Sequence, residues 1–311
     1  MRPFARLLAA AGIAAALAAC TSAAPATPAP ATPTPAPSGA PSVPGVPSAA
    51  PDATTYWLRM TTTQALPPLN LFGMAAVMAI TGSGEVVMPG PVPAVFPGPL
   101  VVPLVVRPIT DAGRTKIMDL AQSLGLLGRQ TDFTPGVGLA GGIVAHVELT
   151  VDGHRVTISG NPDVGATTSC AVSPCVPPSG TPEAFGAFWR QLLDLPALLG
   201  AELGAETGYT PTVYSILVGA APVPDPTLGA NVMIWPFDVT IGSFGAAVAN
   251  GQARCATVTG AAAATFRDAF AKANALTQWT QNATTSATFG LTVRALVPGE
   301  DACREVFGVG Q

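Results

Sequence analysis

Charge is scarce in this chain. Only 10% of its 311 residues are Asp, Glu, Lys or Arg, and the 14 cations are scattered without a basic run. A nucleic-acid binder needs clustered Lys and Arg to displace phosphate counterions, so that class is excluded. A zinc site needs paired short cysteine spacings or nearby histidines, and with a single short-spaced pair and two distant histidines neither exists, so no metal centre or cofactor is implied. Gly-x-Ser-x-Gly, His-Glu-x-x-His and Gly-Lys-Ser/Thr are all missing, which removes the motif-defined hydrolases, zinc proteases and phosphate loops. Beyond the N-terminus no apolar run is long enough to span a bilayer. The best, Val92 to Val106, is interrupted by Pro93, Pro97, Pro99 and Pro103.

What is present begins with Arg2 and Arg6, followed by an apolar stretch from Leu7 to Ala19 that is too short to cross a membrane and has the build of a secretory signal. It ends on Leu17-Ala18-Ala19-Cys20, which resembles the lipobox of bacterial lipoproteins. That resemblance implies cleavage before Cys20, acylation (such as palmitate) on its sulfur, and anchorage on the extracytoplasmic face of the cell membrane. Loss of residues 1–19 removes two cations and takes the net charge from −4 to −6. Residues 20–55 then form a Pro/Ala/Thr-rich linker, with ten prolines between positions 21 and 55 and almost no large apolar side chain. Such a segment buries no core and favours extended polyproline-like conformations, so it reads as a spacer.

From Tyr56 onward strand and helix patterns mix, and the expected class is α+β, with antiparallel hairpins and amphipathic helices. Two apolar runs between Leu71 and Met88 flank Gly82-Ser83-Gly84 and predict a hairpin. Leu104 to Arg107 reads as a strand. Thr110 offers an N-cap to a helix lined by Ile117, Leu120, Ala121 and Leu124 that stops at Gly125. A second hairpin, Ile143–Val151 with His154–Gly160, turns at Asp152-Gly153. Thr181-Pro182 starts a helix carrying Phe185, Phe188, Trp189 and Leu192, with a break at Leu195-Pro196. Further strands are expected at Thr212–Val218, Val232–Trp235, Cys255–Val258 and Thr288–Leu296, with a helix capped by Thr259 between the last two. Its apolar positions Phe266, Ala269, Phe270 and Ala273 repeat the offsets of the Thr110 helix. The repeat suggests two similar strand–helix–strand lobes, 56–178 and 179–311.

Four cysteines remain once Cys20 is set apart. An even remainder in an exported chain suits two disulfides, and proximity favours Cys170–Cys175 with Cys255–Cys303 over the two other pairings. The histidines sit on one hairpin. A two-residue turn pairs Val151 with His154 and Glu148 with Thr157, which points His146 and His154 to opposite faces, so they share no metal. His146 and Glu148 could act together as acid and base, although a solvated face is the simpler reading. Gly136-Val137-Gly138-Leu139-Ala140-Gly141 spells a dinucleotide fingerprint but follows Thr134-Pro135 and precedes a strand, so it reads as a loop. Glu202, Glu206, Glu300 and Asp301 read as surface acids.

The pattern as a whole resembles a group of uncharacterised bacterial lipoproteins. The likeness rests on Ile80–Val87, Pro91–Pro99 leading to Thr110-Asp111-Ala112-Gly113, Trp235-Pro236, Arg254-Cys255, Asn274–Trp279 and Arg294–Cys303. It implies that Cys255 and Cys303 share a C-terminal module, and it supplies no reaction. The expected function is a noncatalytic binding or envelope-associated module, with the membrane and an unknown protein or small molecule as partners. The alternative is an extracellular hydrolase with an unrecognised site. A solute-binding subunit of a transporter fits less well, because the strands look antiparallel.

Overall fold

The computed structural model describes residues 56–74, 76–134, 142–165, 177–228 and 231–309, all within one compact unit, Ser48–Gln311. The signal segment, Cys20, the tether, Gly136–Gly141, Cys170 and Cys175 lie outside the described residues.

In chain order the elements are β1 (Tyr56–Thr63), α1 (Pro68–Phe72), β2 (Met78–Thr81), β3 (Glu85–Pro89), β4 (Leu104–Pro108), α2 (Asp111–Ser123), β5 (Asp132–Phe133), β6 (Val144–Val151), β7 (His154–Gly160), α3 (Pro182–Leu193) and α4 (Leu195–Leu199). Then follow β8 (Thr207–Tyr209), β9 (Val213–Ala220), β10 (Val232–Ile234), β11 (Ala246–Val248), β12 (Ala253–Thr259), α5 (Gly260–Phe270), β13 (Gln278–Thr280), β14 (Phe289–Ala295) and α6 (Ala302–Phe307). They form an eight-stranded sheet, β5-β7-β6-β1-β2-β3-β4-β8, and a six-stranded sheet, β10-β13-β14-β9-β12-β11. The class is α+β. Most pairs are antiparallel, as the sequence predicts, but β5–β7 and β10–β13 are parallel.

Turn chemistry sets the hairpins. Gly84, at φ +84°, lets the chain reverse between β2 and β3, and a Cβ there would sit 2.8 Å from the Ile109 carbonyl oxygen. Asp152 and Gly153 take positive φ, and the β6–β7 register pairs Val151 with His154 and Glu148 with Thr157, as the two-residue turn requires. The first hairpin is shorter than the apolar run suggests. Pro68 at the helix start and Phe72, fully buried, belong to α1 instead. The Thr110 and Thr181 hydroxyls accept hydrogen bonds from the amides of Gly113 and Ala184 and cap α2 and α3. The Leu195-Pro196 break is the start of α4, where the Asp194 carboxylate accepts from the Ala197 amide.

Three cores follow from these faces. Leu58, Met60, Ile80, Val147, Leu149 and Ile158 of the first sheet pack under α2, α3 and α4, which bring Ile117, Phe185, Phe188 and Leu192. The first core therefore draws on both sides of position 178, and β8 also joins the first sheet beside β4. A second core takes Ala79, Val87 and Leu104 from the first sheet, Tyr214, Ile216 and Val293 from the second, and Phe266 and Phe270 from α5. A third joins Leu217, Val248 and Cys255 to Phe72 of α1 and Cys303 of α6.

The strand–helix–strand likeness stays local. In the first sheet three strands separate β4 from β6, whereas in the second a single strand, β9, separates β12 from β14. Even the caps differ, because Thr259 makes no side-chain bond to α5. Strand pairing reaches across the chain, and helix periodicity carries no information about it.

Candidate ligand cavity

The residues singled out from the sequence fall into separate places. Cys255 and Cys303 form a disulfide, with Cα atoms 5.8 Å apart, tying β12 to α6. His146 is half-buried on β6, with Nδ1 2.8 Å from the Ser159 hydroxyl and Nε2 3.1 Å from the Thr63 hydroxyl. Burial holds its pKa below the ordinary histidine value, so it is neutral at physiological pH. His154 is exposed at the hairpin tip.

Glu148 lies on the same face of β6 but is committed elsewhere. It accepts from the Tyr56 hydroxyl at 2.7 Å and from Arg59 Nε at 2.8 Å. Arg59 also reaches Glu305 of α6 at 2.5 Å, and the Arg155 guanidinium stacks 3.8 Å above the Tyr56 ring. Burial, followed by the bond to Glu148, raises the Tyr56 pKa. Tyr56 joins this face because β1 advances two residues against one of β2 between Tyr56 and Leu58, a bulge that turns it away from the first core. The cluster clamps α6 to the first sheet, and its charges satisfy one another.

Glu300 is not a surface acid. It is 7% exposed, forms an ion pair with Arg294 and accepts from the Val297 amide at 3.1 Å. Burial pushes the Arg294 guanidinium down to about 10, still cationic at neutral pH. The chain reaches this pair through Gly299 (φ +80°), where a Cβ would sit 2.4 Å from the Tyr56 ring. Glu202 takes a hydrogen bond from the Thr110 hydroxyl.

The place where polar groups stay free lies at the junction of the two sheets. An open cavity of about 440 Å³ is lined by the 99–104 segment, by β8 and β9 with their Thr210-Pro211 link, and by α5 with the residues just after it. Its walls are apolar, with Val101, Leu104, Pro211 and Phe270 among them. Besides Thr210, the polar side chains that line it are the three large ones of Tyr209, Tyr214 and Arg267. Tyr214 is 3% exposed, and its ring meets Phe270 edge-on at 5.9 Å. Neither phenol hydroxyl bonds to any described residue, and Arg267 has only a loose contact to Asp268 at 3.7 Å. Burial raises both phenols, Tyr209 further through the charge of Glu85, so both remain protonated donors. A larger groove of about 630 Å³, beside Leu217 and Gly290, has no charged residue in its wall.

Apolar walls with a few convergent polar groups are the usual make-up of a small-molecule site, and 440 Å³ falls in its size range of roughly 300–1,000 Å³. The sequence gives these three residues no motif. Their only signal is that Tyr209 and Tyr214 flank Thr210-Pro211, where the chain leaves one sheet for the other. Among the described residues no group of three or more His, Cys, Asp or Glu could hold a metal ion, and no helix is long and apolar enough to cross a membrane. Comparison with protein-family models, with curated proteins and with solved structures gives no match.

Proposed function

We propose that this chain is an extracytoplasmic lipoprotein, anchored to the membrane through acyl chains on Cys20 and spaced from it by the 20–55 tether, whose folded region binds a ligand without transforming it. The observation that carries the binding role is the junction cavity, where two phenols without a bond to any described residue and a guanidinium held only loosely by Asp268 stand in a largely apolar wall. Apolar walls with a few polar groups free to pair with an occupant support recognition. The Cys255–Cys303 disulfide supports export, since such bonds persist in oxidising compartments. The lipobox-like Leu17–Cys20 supports the anchor, and the likeness to uncharacterised bacterial lipoproteins fits the same reading.

Fractionation with intact mass analysis tests the anchor. A bacterial host making the full chain should yield a membrane-bound product that starts at Cys20 and carries acyl mass. Cys20→Ala should abolish the acyl mass and the retention. A soluble product that keeps residues 1–19 would defeat the proposal.

A hydrolase is the second reading, favoured by one observation. The Ser159 hydroxyl and His146 Nδ1 are 2.8 Å apart, within reach for a base and its nucleophile. Against it, His146 Nε2 meets a threonine hydroxyl rather than a carboxylate that would orient it. Ester turnover by the full chain, lost in Ser159→Ala, would establish this reading over the binding one.

A further inference from the structure

The cavity's chemistry specifies a class of ligand. We propose that it takes a single-chain aliphatic carboxylate, with the head group held by the Tyr209 and Tyr214 hydroxyls and the Arg267 guanidinium and the tail laid against Val101, Leu104 and Phe270. This inference rests on reading the cavity as a binding site.

Three features converge on that class. The larger polar groups lining the cavity can all donate: two phenols kept protonated by burial and a guanidinium that is always charged. No carboxylate lies in the wall; Asp268 stands 3.7 Å from Arg267, and the charge of Glu85 is felt at Tyr209. A site with one positive charge, several donors and no anion of its own complements an anion with several acceptor lone pairs, such as a carboxylate. The remaining wall is hydrocarbon and aromatic, which suits an alkyl chain and leaves a sugar's or peptide's hydroxyls and amides unpaired.

Size gives a scale for the chain. At about 30 Å³ per water-sized group, the 440 Å³ recess accommodates roughly fifteen heavy atoms, which matches a carboxylate on a chain of about twelve carbons. Tyr214 is the most informative single residue, because it is only 3% exposed while its hydroxyl makes no bond to a described residue and stays open to the cavity, where a ligand can take the place of water.

Calorimetric titration of the full chain tests the proposal with three probes below their aggregation limits: dodecanoate, dodecyl phosphate and dodecanol. Dodecanoate should bind one to one and at least about tenfold more tightly than dodecanol, the scale of a charge-assisted hydrogen bond. Arg267→Gln should erase that preference while leaving dodecanol binding unchanged. Tyr214→Phe should weaken dodecanoate several-fold. Ala271→Trp, at an exposed position on the cavity rim, should block every probe without altering the melting temperature. Dodecanol binding as tightly as dodecanoate would overturn the assignment of an anionic head and leave the cavity a binding site. Tighter binding of dodecyl phosphate would move the head-group class to phosphate and overturn the carboxylate assignment. No saturable binding of any probe would overturn this inference and the reading of the cavity as a site together.

Discussion

The two halves of the folded region handle their polar groups in opposite ways. Under the first sheet, α2, α3 and α4 close a hydrocarbon core whose largest members, including Phe185, Phe188, Met60 and Leu149, are fully buried. The second half holds a buried ion pair, a disulfide and, among the described residues, three fully buried side-chain nitrogens without a partner, on Arg254, Trp279 and Arg294, and it meets the first half at the junction cavity. The unpartnered nitrogens and the buried charge pair each carry a desolvation cost that the hydrocarbon core of the first half does not. The contrast places a hydrocarbon scaffold under the first sheet and the buried polar groups in the second half, while the proposed recognition site lies where the two sheets meet.

The largest effects should come from a matched pair of substitutions. Glu300→Ala leaves the Arg294 charge buried and alone, and should cost about 3–5 kcal/mol in chemical denaturation. Phe188→Ala opens a cavity in the first core and should cost a similar amount, about 3–5 kcal/mol. The two differ in how they are repaired. Adding Arg294→Met to Glu300→Ala should restore most of the loss, because the penalty is an unpaired charge, while Phe188→Ala has no comparable partner. Failure of Arg294→Met to recover any of the Glu300→Ala loss would dissolve the distinction between the halves.

A smaller step is removal of the Cys255–Cys303 bond by serine at both positions, expected to cost about 2–4 kcal/mol. Smaller again is the difference between two threonines. Thr110→Ala should lose about 1 kcal/mol, because its hydroxyl caps α2, whereas Thr259→Ala should be near neutral, because its hydroxyl makes no cap bond to α5.

The smallest effect is a pH dependence in the first sheet. Burial depresses the folded-state pKa of His146 below 6.5, so the unfolded chain takes up the proton first. The contribution is therefore complete above pH 6.5 and is lost as pH falls through the lower, folded value. Melting temperatures recorded from pH 7.5 down to 5 should fall less steeply in His146→Gln than in the parent chain, and parallel curves would assign the slope to other groups.

Local chemistry was legible in the sequence wherever one short segment decides the outcome. The Gly82–Gly84 and Asp152-Gly153 turns, the Thr110 and Thr181 caps, and the separation of His146 from His154 all depend on residues within a few positions of each other. Elements set by distant partners were not legible. β1 alternates apolar and polar residues from Leu58 to Thr61, a pattern that marks a strand, but its bulge at Tyr56 is visible only against β2. Glu300 reads as a turn acid because Pro298-Gly299 precedes it, and only the fold shows that the same turn buries it on Arg294. The cavity was least accessible of all. Tyr209 belongs to one sheet, Tyr214 to the other and Arg267 to a helix, and no spacing links them.

Hydrogen exchange of the full chain, with and without saturating dodecanoate, tests the division between scaffold and recognition most directly. The account predicts added protection confined to the 99–104 segment, the 207–214 stretch and the end of α5, with the amides of α2, α3 and β6 unchanged. Protection spread evenly over the first core, or no change around Tyr214, would contradict it.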